Sequence, residues 1–113
     1  MPVTLETQYP VGDGEVKLTV VVGDAQLGSS LVRLEAKEIG RGDITDLAVG
    51  KGPKVRGKSL KVKTVVTDVN DKTNRTSVTY ELKGGVQPAE FSLEGTVAEE
   101  GDSIIYRASF DFV

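Results

Sequence analysis

Cysteine, histidine and tryptophan are all absent from this chain of 113 residues. Without cysteine there is no disulfide, thiolate nucleophile or zinc–thiolate site. Without histidine there is no Ser-His-Asp or Cys-His catalysis and no imidazole metal ligand. The side chain that ordinarily switches charge near neutral pH is missing as well. Aromatic residues are few, three Tyr and three Phe. Five of them (Tyr80, Phe91, Tyr106, Phe110 and Phe112) fall on apolar strand faces, which leaves Tyr9, beside Pro10, as the ring expected near the surface. A carbohydrate site at a loop end therefore has little to stack on. No apolar run reaches the ~20 residues that a membrane-spanning helix needs, so membrane insertion is not expected. The opening "MPVTLETQYP" has neither a basic nor an apolar signal region. A cytoplasmic location is the expectation, with the bacterial periplasm or secretion as alternatives if a signal has been removed.

What is present is alternation. "EVKLTVVV" sets Val16, Leu18, Val20 and Val22 against Lys17 and Thr19. "SLKVKTVV" sets Leu60, Val62 and Val66 against Lys61 and Lys63. "SVTYEL", "EFSLEGTV" and "SIIYRASFDFV" repeat the pattern, the last aligning Ile104, Tyr106, Ala108, Phe110 and Phe112 against Arg107, Ser109 and Asp111. A period of two with one apolar face marks a half-buried strand. Glycine, Asn and Asp clusters such as "GDG", "NDKTN" and "EEGD" separate the runs. These features predict a single all-β domain over residues 1–113. Its form is an antiparallel two-sheet sandwich of seven to nine strands, immunoglobulin-like or jelly-roll in connection. A closed β-barrel is the alternative. "SSLVRLEAKEIG" reads as a strand with Val32, Leu34 and Ala36 inward, against a competing short helix closed by Gly40.

The net charge of −3 is unevenly spread. Residues 48–67 hold Lys51, Lys54, Arg56, Lys58, Lys61 and Lys63 and no acid. This stretch contains "GPKVRGKS", which fits the phosphate-loop pattern G-x-x-x-x-G-K-[ST] with Gly52, Gly57, Lys58 and Ser59. A phosphate loop must open a helix whose amides cradle the anion. Here "LKVKTVVTDV" follows, which is β-branched and alternating, so a strand is expected after Ser59 and no nucleotide or other cofactor is expected. The six bases are the candidate binding residues for an anionic partner, with Lys54, Arg56, Lys58, Lys61 and Lys63 expected to form one positive stripe. The competing reading is that lysines on an edge strand block strand-to-strand aggregation. No aromatic residue lies among the bases, so nucleic acid is disfavoured.

Two oxygen-rich stretches complete the candidates. Asp68, Asn70, Asp71 and Asn74 offer ligands to calcium, but Lys72 interrupts the EF-hand spacing, and the same residues suit a hairpin turn. Glu99, Glu100 and Asp102 suit a charged turn better than paired acid–base chemistry. No catalytic residue is assigned. The expected function is a non-enzymatic protein-interaction or structural module whose partner is another protein. The alternative is a small-ligand-binding module, with an anion at 51–63 or a sugar at a loop end.

Overall fold

The computed structural model describes residues 3–113. Alternating apolar residues form nine strands: β1 (Val3–Tyr9), β2 (Glu15–Val22), β3 (Leu27–Leu34), β4 (Lys37–Gly42), β5 (Leu47–Lys51), β6 (Ser59–Thr67), β7 (Arg75–Lys83), β8 (Ala89–Thr96) and β9 (Ser103–Phe112). One helical turn, α1 (Gly52–Val55), links β5 to β6. The strands make two sheets, a five-stranded β1-β9-β6-β3-β4 and a four-stranded β5-β2-β7-β8, packed face to face without closing into a barrel. Only β3–β4 and β7–β8 are hairpins within one sheet; every other connection crosses between sheets. Pairing is antiparallel except at β1–β9, which is parallel from Val3 opposite Tyr106 to Tyr9 opposite Phe112.

The core is the inner face of both sheets. Leu60, Val62, Val66, Tyr106, Phe110 and Phe112 come from one sheet, and Val16, Leu18, Val78, Tyr80 and Leu82 from the other. Phe110 is the hub. Its ring meets Tyr80 edge-on at a centroid distance of 5.8 Å and Phe91 at 5.5 Å. Such pairs add to the area they bury. Two expectations change. Residues 29–39 are extended but not one strand: the chain turns at Glu35 (φ 55°) and Ala36, so Ala36 is exposed and not inward. Tyr9 is only 1 % exposed, because parallel pairing with β9 carries it into the core against Phe112. Its hydroxyl donates to the Gln87 carbonyl at 2.8 Å and accepts from the Gly85 amide at 3.0 Å.

Most interior polar groups are satisfied. Ser30 and Thr64 share a hydrogen bond of 2.7 Å, and Thr76 bonds both the Gly95 carbonyl and the Tyr106 hydroxyl. The Tyr80 hydroxyl is buried and closes no hydrogen bond of good geometry. Burial pushes it up to about 12 from an ordinary 10.0; the Thr64 hydroxyl beside it offsets part of this, and Tyr106 adds to it.

Phe110→Ala is expected to cost about 3–5 kcal/mol, read as a lower urea midpoint; an unchanged midpoint would place this strand's faces the wrong way round. Tyr80 gives a pH signature. Its neutral phenol is favoured by the fold, so that stability is intact below pH 10 and lost as pH rises toward about 12. The loss amounts to about 2–3 kcal/mol. Tyr80→Phe should melt like wild type or slightly above it at neutral pH, since no bond is removed, and should fall less steeply between pH 10 and 12. Parallel pH profiles for the two proteins would contradict the assignment.

Candidate functional site

Outward positions at the centre of the five-stranded sheet bring together four basic side chains. Alternation on β6 puts Leu60 and Val62 inward and therefore Lys61 and Lys63 outward. Register supplies their neighbours. Lys61 stands opposite Arg33 of β3, and Lys63 stands opposite Arg107 of β9. Adjacent strands lie ~4.8 Å apart and successive outward positions ~7 Å along the strand. The four cations thus crowd into a patch about two strand spacings wide. They border a shallow groove of about 510 Å³ that Leu31, Ser109 and the acidic Glu6 also line.

Like charges directly opposite one another weaken a sheet, and here two such pairs sit in consecutive rows. Carboxylates stand near them without pairing: Glu38 lies opposite Arg33 on β4, and Glu6 lines the same groove. The ion pairs among the described residues are Arg41–Glu38 (2.8 Å) and Arg75–Glu94 (2.6 Å), so none of the four cations has a carboxylate within 4.0 Å. The Arg41 pair flanks the patch. Its hydrogen bond holds the Glu38 carboxyl below the usual range, with a lesser contribution from Arg33.

The expected stripe from Lys54 to Lys63 divides between two parts of the fold. Lys61 and Lys63 belong to this face, whereas Lys51, Lys54, Arg56 and Lys58 lie in the crossover between sheets. Lys51 ends β5 opposite Glu15. Arg56 donates to the Val11 carbonyl at 2.9 Å. The Lys58 carbonyl accepts from Phe112 at 3.0 Å. Nor does β6 lie at an edge: it is the middle strand, between β9 and β3, so its lysines cannot guard an edge. Arg33 and Arg107 are the members that reading the contiguous bases misses. Both have the right parity, opposite Val32 and Tyr106, but only strand order brings them to β6.

The phosphate-loop pattern has a backbone explanation. Gly52 packs so closely on the Gly12 carbonyl that a Cβ would collide with it, and its amide bonds the Gly14 carbonyl at 2.9 Å. Gly57 has φ +87°, a left-handed conformation that favours glycine. Ser59 then opens β6, not a helix, and its hydroxyl bonds Asp111 at 2.5 Å.

The oxygen-rich residues stitch loops together at the far end. Asp68 is 1 % exposed. Its amide bonds the Asp102 carbonyl and its carbonyl the Gly101 amide, both at 2.9 Å. Its Oδ1 accepts from the Asn70 amide, while Oδ2 is buried without a partner. The Asn70 side chain donates to the Asp24 carbonyl, Asn74 donates to the Ala98 carbonyl, and Asp71 is exposed. Gln26 braces the same loops, its Oε1 accepting from the Val69 and Asn70 amides. Among the described residues no three acidic side chains gather as a metal site would require. Glu99 and Asp102 close an exposed turn through the Glu99 amide and the Asp102 carboxylate.

Compared with known proteins, the chain matches no described family, no curated protein and no solved structure.

If the cationic pairs burden the fold, Lys61→Gln and Arg107→Gln should each raise stability by about 0.2–1 kcal/mol at low ionic strength. The gain should shrink as salt screens the charges. Urea titrations at low and high salt test this, and a loss of stability in both would mean that the cations support the sheet.

Proposed function

We propose that the protein is a non-enzymatic binding module that holds an acidic surface of a partner protein against the outer face of its five-stranded sheet. One observation carries the reading: Arg33, Lys61, Lys63 and Arg107 form two adjacent like-charge pairs, and none of the four joins an ion pair among the described residues, although Glu38 stands opposite Arg33. A sheet that tolerates such repulsion gains from a partner that relieves it. The absence of histidine and cysteine favours binding over catalysis. A small anionic ligand is the second reading, supported by the groove volume of about 510 Å³, which falls in the range of small-molecule sites. The sugar reading gains nothing, since every aromatic ring among the described residues is buried or half-buried.

Electrostatic docking on this face should act mainly through the association rate. Lys61→Glu with Lys63→Glu should slow association with an acidic probe at least about tenfold at low salt, and elute from heparin earlier than wild type. Lys54→Glu with Lys58→Glu should behave nearly as wild type. The reverse ranking would move the site to the crossover loop, and no change in either variant would remove the proposal.

A further inference from the structure

The cationic face is not uniformly polar. One row beyond Lys63 and Arg107 toward the loops, Val65 stands opposite Ile105. Leu31 and Leu27 flank this pair diagonally on β3, since Ser29 is the residue opposite Val65. Diagonal neighbours on one face are ~7–8 Å apart, within reach of each other's side chains. Leu27 is 65 % exposed and Val65 36 %, with Leu31 and Ile105 half-buried. An aliphatic strip therefore abuts the four cations on a sheet face that no other element of the described chain covers.

We propose that the occupant is an acidic amphipathic segment of a partner protein, its carboxylates over Arg33, Lys61, Lys63 and Arg107 and its aliphatic side chains over Leu27, Val65 and Ile105. This rests on the binding face proposed above and specifies what fits it. A purely electrostatic partner would leave the aliphatic strip in water; a purely apolar one would bury four unpaired cations, which is costly. Only a segment carrying both kinds of side chain in adjacent rows satisfies the whole surface.

An anionic bilayer also combines charge with an apolar phase, but the surroundings oppose it. The loops beyond the aliphatic strip expose Asp24, Asp71, Glu99, Glu100 and Asp102, carboxylates that a negative surface would repel. No aromatic ring lies on this face to anchor at a lipid interface. Nucleic acid makes no use of the aliphatic strip, and bases find no ring to stack on.

Two synthetic helical peptides test the inference on the whole chain. Both carry a stripe of glutamates; one places leucines in the adjoining stripe and the other serines. Anisotropy at low salt should show the leucine peptide binding wild type at least about tenfold tighter than the serine peptide. Leu27→Ser with Val65→Ser, both on the solvent face, should erase that difference while leaving the serine peptide's affinity alone. Lys61→Ser with Lys63→Ser should weaken both peptides. Equal affinity of the two peptides for wild type would overturn the amphipathic partner and leave the acidic-partner reading standing. Failure of both to bind would overturn both. Sedimentation with phosphatidylserine vesicles, in the absence of peptide binding, would assign the face to a membrane instead.

Discussion

The register of β6 is the constraint from which the rest follows. Residues 59–67 lie opposite 103–111 on one side, and 60–67 opposite 27–34 on the other. Because side chains alternate, a slip of one residue would turn Lys61 and Lys63 into the core and Leu60, Val62 and Val66 into water. Burying two unpaired ammonium groups costs several kcal/mol each, so the apolar face of β6 locks its lysines outward. The same lock places them opposite Arg33 and Arg107. The core and the candidate site are thus two faces of one decision about register, which fixes where on the sheet each cation is rooted.

That coupling has a consequence for energetics. Sites built on central strands are held by hydrogen bonds on both sides, whereas loops carry adaptable contacts. The patch on β3, β6 and β9 is of the first kind. Its repulsion is a cost met by the packing of Phe110 against Tyr80 and Phe91 directly beneath the sheet, where the aromatic rings interlock. The crossover bases are of the second kind. Their segment is shaped by backbone needs at Gly52 and Gly57, which also explain why a phosphate-loop pattern occurs in a chain whose next element is a strand.

Strand faces were legible in the sequence because period-two alternation reports burial directly. Tyr106, Ala108, Phe110 and Phe112 are buried as their parity requires. Strand order was not legible, since parity says which face a residue takes but not which strand lies beside it. Hence Lys61 and Lys63 could be singled out, while their partners Arg33 and Arg107 could not. The same gap hid the central place of β6 and the burial of Tyr9, both of which depend on pairing with β9. The break at Glu35 escaped for a local reason: a glutamate in the left-handed region has no turn signature, unlike glycine or asparagine.

The outer face of β3, β6 and β9 is the proposed docking surface for an acidic partner. Amide chemical shifts followed by NMR during titration with a glutamate-rich peptide test this residue by residue. Shifts are expected to concentrate at residues 31–33, 61–65 and 105–109, with the crossover around Lys54, Arg56 and Lys58 unmoved. Shifts confined to that crossover, or to the loops around Asp68, would contradict it.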